Sequence, residues 1–132
     1  MSRDCALSIM IDCIQITNEP RGSAIREGKP VDYRKYGETY YARMDKGDEI
    51  ISCILALCRN ENISSAIFSG IGGCSGAEIQ TFIPQDGMFE TQTLAGMLEL
   101  VSLNGNIVTD EKGNYYHHTH ANFSYKDGSR HC

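Results

Sequence analysis

The chain has 132 residues and a formal net charge of −5, with 41% hydrophobic and 22% charged residues. This length and composition predict one globular domain and exclude an intrinsically disordered chain. The acidic balance argues against strong autonomous DNA binding, because neutralising phosphates normally requires a basic surface. A local basic patch near Lys126 and Arg130 is still compatible with it.

The sequence shows no targeting or membrane-spanning segment. No run approaches the roughly 18 consecutive apolar residues of a transmembrane helix, and Asp12 interrupts the apolar start. That start also lacks the basic flank and cleavage site of a signal peptide. We therefore expect a cytoplasmic protein without a membrane partner. The six cysteines form no C-x-x-C pair, and we expect them to be reduced.

The N-terminal quarter differs from the rest of the chain. Residues 18–38 contain two prolines and three glycines and show no sustained periodicity. We therefore predict an extension or linker over residues 1–35 and a domain over residues 36–132. Within the extension, residues 5–16 are compatible with a docked strand or with a poorly ordered segment.

Residues 39–45 have the aromatic content of a strand, and an amphipathic helix is predicted over residues 48–61. Asp48 is the predicted N-cap, Glu49 suits the first turn, and Arg59 suits the last turn. The apolar residues at helical spacing form one stripe: Ile50, Ile51, Ile54, Leu55 and Cys58. A helix with one apolar face must cover something, and a sheet is the predicted partner.

Short strands separated by turns follow the helix. The strand patterns cover residues 64–72, 77–84, 89–103 and 117–125. Turns are predicted at residues 104–106, 111–116 and 126–129. The fold class is therefore α+β, with a mainly antiparallel sheet and one helix packed across it.

The glycine-rich stretch at residues 69–76 does not have the context of a phosphate-binding loop. A strand pattern follows it, whereas a phosphate cradle requires glycines that lead into a helix N-terminus. We interpret the glycines as a bend or bulge between strands. Cys74 is the one thiol expected to be accessible there. No nucleophile elbow or paired carboxylates appear, so an enzyme is the less favoured interpretation and no catalytic residue is assigned.

Three of the four histidines lie within residues 117–120. In a strand, His118 and His120 share one face, and His117 takes the other. Two imidazoles at this spacing can bind one divalent cation such as zinc, but a zinc site normally has three or four protein ligands. A third ligand would come from elsewhere in the chain, from His131 or from a neighbouring subunit. The alternative is that the histidines are hydrogen-bonded surface groups of a sheet.

Two motifs resemble the plant and prokaryote conserved (PPC) domain. They are a G-x-x-E-[IL]-x-S-L-x-G pattern at residues 96–105 and an H-x-H-A-x-x-S strand at residues 118–124. The resemblance extends over about residues 36–130. It implies the α+β fold described above and assembly as a trimer. It also implies a DNA-associated role by analogy, because plant members accompany AT-hook motifs.

Two departures from the family pattern bear on function. The chain has no R-G-R-P-like hook, and residues 20–30 supply only an isolated Arg-Gly pair. The resemblance also implies a third metal-binding histidine in a G-G-H element, whereas His131 has no Gly-Gly before it. The family domain continues for about two further strands, so we expect this chain to be C-terminally incomplete.

Three hypotheses follow. The first is a stand-alone, non-enzymatic oligomerising module with a DNA-binding or regulatory role by family analogy. The second is a metal-dependent enzyme or small-molecule sensor that uses a His118/His120 metal site. The third is an inert fragment of the family fold.

Overall fold

The computed structural model describes residues 4–16, 31–125 and 130–131, the first and last of these as backbone only. These residues form one helix and seven strands, which confirms the α+β class. The elements are β1 (Asp4–Ile16), β2 (Asp32–Tyr36), β3 (Thr39–Met44), α1 (Ile50–Asn60), β4 (Ser65–Ile83), β5 (Met88–Thr109), β6 (Tyr115–Tyr125) and β7 (Arg130–His131).

The strands form one sheet in the order β2-β3-β1-β4-β5-β6-β7. Strand β1 runs parallel to both of its neighbours, with Ile9 between Ala42 of β3 and Gly70 of β4. The other four strand pairs are antiparallel. Residues 5–16 thus belong to a strand inside the sheet, one of the two alternatives that the sequence left open.

Only part of the segment predicted to be irregular is described by the structure. Residues 17–30 lie outside the described part of the chain, whereas Asp32–Tyr36 pairs with β3 as a regular edge strand. The strand predicted over residues 39–45 is confirmed by β3. The division of the chain at residue 36 stays a prediction.

The helix begins two residues later than predicted because its cap is Glu49, not Asp48. The Glu49 carboxylate accepts hydrogen bonds from the backbone N–H groups of Ile51 (3.2 Å) and Ser52 (2.7 Å). Asp48 instead accepts a bond from the backbone N–H of Asp45 at 2.8 Å. The stripe that the helix buries is Ile50, Ile51, Ile54, Leu57 and Cys58, so Leu57 replaces the predicted Leu55, which is half-buried.

The turn predicted at residues 104–106 is wrong. These residues continue β5, where Asn104 pairs with Ser69 and His120, and Asn106 pairs with Ile67 and His118. Residues Met88–Thr109 form one long strand, and its hairpin partner β4 is equally continuous. The Asn-Gly-Asn signal is overridden because Gly105 is needed inside the sheet, where it lies under the Phe68 ring.

The remaining turns have mixed outcomes. The turn between β5 and β6 is confirmed at Asp110–Asn114, where Gly113 has a φ of +82°. The turn predicted at residues 126–129 lies outside the described residues. The glycine-rich segment contains register shifts between Gly70 and Gly72 and between Cys74 and Gly76, which confirms the predicted bulge. The prediction of two separate strands around it is wrong, because β4 is continuous through the glycines.

One apolar cluster joins the helix to one face of the sheet. Its largest fully buried side chains are Tyr40, Phe123, Met44, Ile50, Ile54, Leu57, Ile63, Leu98, Leu100 and Leu103. Because successive strand residues point to opposite faces, the residues between these core positions lie on the side away from the helix. That side of β4, β5 and β6 is called the open face below.

Candidate functional site on the open face

The open face contains His118 and His120. Both alternate along β6 with Phe123, which is fully buried on the helix side, and both rings are exposed. The structure therefore places the two histidines on one face, as the i, i+2 spacing predicts.

The two rings contact each other directly. Their Nε2 atoms are 3.0 Å apart, with ring centroids 5.0 Å apart and an angle of 31° between the planes. In a hydrogen bond between two neutral imidazoles, one Nε2 donates and the other accepts, so the two rings hold different tautomers. Both Nε2 atoms thus point to the same small region above the sheet.

The strands beside the pair add polar and apolar neighbours. Asn106 and then Ile67 lie across from His118, whereas Asn104 and then Ser69 lie across from His120. The two asparagine side chains are exposed. The pair therefore lies in a polar strip that borders exposed aliphatic side chains.

Those aliphatic side chains, with one tyrosine, make the open face strongly apolar. They are Ile67 (66% exposed), Ile71 (61%), Val108 (50%) and Tyr116 (55%). Monomeric proteins rarely expose a contiguous apolar patch of this kind without a binding role.

His117 lies on the other side of β6, facing the helix N-terminus. Its Nδ1 is 3.0 Å from the Thr119 hydroxyl, and the side chain is exposed, as expected. Desolvation by the surrounding atoms lowers the pKa of His117; the Glu49 carboxylate partly opposes this shift, and His118 adds to it. His117 is thus separated from the His118/His120 pair by the sheet itself.

Among the described side chains, His118 and His120 have no third protein ligand beside them. No group of three His, Cys, Asp or Glu residues in this part of the chain lies close enough together to hold a metal. The backbone of His131 lies across from Phe123 in β7, and its side chain is outside the described residues. The same holds for Lys126 and Arg130 of the predicted basic patch.

The expectation that Cys74 is accessible is wrong. Its side chain is fully buried in the core, where β4 pairs with Leu98 of β5. A buried thiol in apolar surroundings behaves as a small hydrophobe and is not a reactive group.

The apolar open face is not among the sites predicted from the sequence. The sequence signal for this face lies in β4, where apolar residues occupy consecutive positions. The exposed Ile67 lies between the buried Ala66 and Phe68, and the exposed Ile71 follows on the same face as Ile67. A strand with apolar residues at both odd and even positions is usually covered on both faces. This pattern therefore indicates that the open face is a contact surface.

A sheet with one covering helix and an H-x-H strand on the uncovered face defines the class of protein. The chain belongs to the Plants and Prokaryotes Conserved (PCC) domain family, whose model matches residues 31–132. This confirms the resemblance drawn from the two sequence motifs. No curated protein matches the sequence.

Solved structures with the same fold come from bacteria and an archaeon. A "putative DNA binding protein" of Bacteroides thetaiotaomicron is 25% identical, with a TM-score of 0.72 over 77% of this chain and 71% of that one. A "putative DNA-binding protein" of Ralstonia eutropha is 25% identical, with a TM-score of 0.68 over 75% and 67%. A plant- and prokaryote-conserved protein of Pyrococcus horikoshii is 28% identical, with a TM-score of 0.58 over 64% and 58%.

Among the described residues, no helix is long and apolar enough to cross a membrane.

Proposed function

We propose that the protein is a non-enzymatic oligomerising module with a DNA-associated regulatory role. The observation that carries the proposal is the open face, on which Ile67, Ile71, Val108 and Tyr116 are each at least half exposed. A second copy that covers this face removes these side chains from water. The family resemblance supports three copies as the assembled state.

The energetics favour this use of the surface. Burial of apolar area contributes roughly 25 cal/mol per Å², and a specific interface buries about 800 Å² on each partner. Aliphatic residues on the adjacent strands β4 and β5, with Tyr116 on the neighbouring β6, provide the apolar centre of such an interface. The polar strip with His118 and His120 provides hydrogen-bonding groups beside that centre.

The names of two structural neighbours support the DNA-associated role. The net charge of −5 favours an indirect version of it. In this version the assembled protein takes part in DNA-associated complexes through its partners, and its own acidic surface does not contact phosphates.

Charge introduced into the open face tests the proposal. Ile67→Lys would bury an ammonium group in the interface, so we expect at least a tenfold weaker assembly, equivalent to about 1.4 kcal/mol. Glu111→Lys, in the exposed turn before β6, is the matched control and should assemble like the wild type. Sedimentation velocity over a concentration series measures the difference. Equal assembly of the wild type and Ile67→Lys would contradict the proposal.

A second candidate is a divalent metal site at His118 and His120, used by a metal-dependent enzyme or a small-molecule sensor. It is favoured by the 3.0 Å separation of the two Nε2 atoms. At a zinc–nitrogen distance of about 2.0–2.1 Å, ligands in tetrahedral geometry lie about 3.3 Å apart, so the pair fits one ion after a small movement. With only two protein ligands, a zinc ion would keep open positions at which it polarises a carbonyl or activates water.

A further inference from the structure

The far half of the β4–β5 hairpin extends beyond the rest of the sheet. Strand β1 pairs with β4 only as far as Ala77, and β6 pairs with β5 only from Leu98 onward. Residues 78–93, called the arm below, pair only with each other within the described part of the chain. Among the described strands, neither outer edge of the arm has a neighbour, and strand edges of this kind readily contact another chain.

The arm has an aromatic surface near its tip. Phe82 and Phe89 lie directly across from each other, with ring centroids 5.3 Å apart. They are 50% and 64% exposed, and Met88 beside them is 65% exposed. The two phenylalanines lie on the face of the hairpin opposite Ala77 and Leu94, which are buried in the core, whereas Met88 lies on the same face as Leu94. Core packing thus does not account for the exposed rings of Phe82 and Phe89.

The charge of the hairpin is uniformly negative. No lysine or arginine occurs between Arg59 and Lys112, whereas seven acidic residues do. They are Glu61, Glu78, Asp86, Glu90, Glu99, Asp110 and Glu111. This segment therefore carries a formal charge of −7 against −5 for the whole chain, so the remainder is net positive. The arm itself contains three of these acidic residues, Glu78, Asp86 and Glu90, and no basic residue, so it suits a partner surface with basic and aromatic groups.

The same chain offers such a surface on the β2–β3 hairpin at the other side of the sheet. Arg34, Tyr36, Tyr41 and Arg43, called the Tyr–Arg face below, share one side of this hairpin, opposite the buried Tyr40 and Ala42. All four are exposed, Tyr36 by 65% of its surface, and Arg43 lies 3.9 Å from Asp45. Tyrosine and arginine are the residues most enriched at the energetic centres of interfaces.

We propose that the arm of one copy docks on the Tyr–Arg face of the next copy. Phe82 and Phe89 pack against Tyr36 and Tyr41, and Glu78, which shares their face of the arm, lies toward Arg34 and Arg43. The contact joins two different surfaces, so it is head-to-tail and closes a ring when the rotation between copies permits. This inference rests on the proposed oligomerising function and adds a second contact between copies to the one proposed for the open face.

A charge-swap experiment tests the contact. One variant carries Glu78→Lys, on the face of the two phenylalanines, and Asp86→Lys, in the exposed turn at the tip of the arm, and the other carries Arg34→Glu and Arg43→Glu on the Tyr–Arg face. Each alone juxtaposes like charges, so we expect at least about a tenfold rise in the dissociation constant of its assembly. An equimolar mixture restores opposite charges at half or more of the contacts and should form mixed assemblies.

Matched controls separate the contact from general effects of charge. Glu90→Lys, the same change on the opposite face of the arm, and Glu111→Lys, outside both surfaces, should assemble like the wild type. Circular dichroism melts verify that every variant is folded. Native mass spectrometry of the mixture, with one variant isotopically labelled, identifies mixed assemblies.

The outcomes are distinct. Weak assembly of each double variant with recovery in the mixture supports the inference. Wild-type assembly of both double variants overturns the inference and leaves the proposed function standing. A wild type that stays monomeric overturns the proposed function and the inference together.

Discussion

Phe68 lies directly over Gly105, and this contact sets how closely β4, β5 and β6 approach one another. A β-carbon on residue 105 would lie 2.9 Å from Phe68 Cε1 and 2.6 Å from the backbone carbonyl oxygen of His118. Neither distance is compatible with a normal van der Waals contact. The glycine therefore allows the strand that bears the histidine pair to lie against β5 without a gap.

Gly105→Ala should destabilise the protein substantially, because both the Phe68 ring and the β6 backbone would have to move. Overpacking of this kind costs about 1–3 kcal/mol, and we expect the upper part of that range. Gly76→Ala is the control, since its β-carbon would lie 3.4 Å from the Leu94 carbonyl oxygen. Urea unfolding measures both changes in the free energy of unfolding. Equal stability of the two variants would show that the close approach of Phe68 and β6 to Gly105 does not restrict the size of residue 105.

Glu49→Ala should remove the cap of the only helix in the described residues. Two backbone N–H groups, of Ile51 and Ser52, would lose their acceptor. Loss of an N-cap acceptor costs about 0.5–2 kcal/mol. Thermal unfolding followed by circular dichroism should show a lower melting temperature. Glu38→Ala, at the exposed β2–β3 turn, should leave the melting temperature unchanged.

Alkaline pH should weaken the contact between the β2–β3 hairpin and the end of the helix. The hydroxyls of Tyr33 and Tyr40 donate to the Glu61 carboxylate at 2.6 and 3.2 Å. Burial first, and then Glu61, raise the pKa of both tyrosines. The folded protein thus holds these protons more tightly than the unfolded chain. The resulting stability is complete below about pH 10 and is lost as pH rises through the folded-state pKa values.

Unfolding free energies measured by urea from about pH 8 to about pH 11 test this dependence. The Tyr33→Phe/Tyr40→Phe variant should be less stable at the lower pH, because it lacks both hydrogen bonds, and its stability should fall less steeply. Tyr36→Phe, at an exposed position, should keep the wild-type slope. An unchanged slope in the double variant would contradict the role of this cluster.

The metal-site candidate makes its own prediction. His118→Ala/His120→Ala should abolish stoichiometric zinc binding, because both Nε2 ligands are removed. His117→Ala should retain it, since His117 lies on the opposite face of β6. Isothermal titration with zinc gives the stoichiometry and affinity of each. Unchanged metal content in the double variant would eliminate this candidate.

The indirect DNA role predicts no measurable affinity of the isolated protein for a short A·T-rich duplex, even at low salt. The reason is the acidic surface, which repels phosphates. Fluorescence anisotropy at rising salt concentration provides the measurement. Tight binding that weakens steeply with salt would instead establish direct contact with the phosphate backbone.

The sequence predicts the elements whose signals are local. The apolar stripe of the helix, the strand at Thr39–Met44 and the shared face of His118 and His120 each follow from periodicity within a few residues. The sequence favours Asp48 as the cap because Asp is the better intrinsic N-cap residue, but the Asp48 carboxylate is used by the turn that begins at Asp45, and Glu49 caps the helix.

Features that depend on tertiary pairing could not be predicted. Asn104–Asn106 has turn chemistry, but pairing with both β4 and β6 holds it in an extended strand. The position of β1 between β3 and β4 is a crossover that local patterns do not contain. The exposure of Ile67 and the burial of Cys74 likewise depend on which side of the sheet the helix covers.

Native mass spectrometry of the purified wild-type chain over a concentration series tests the central claim most directly. We predict a discrete assembly of several copies, with three as the number that the family resemblance implies. A chain that remains a folded monomer at every concentration would contradict the claim that the open face exists to join copies of this protein.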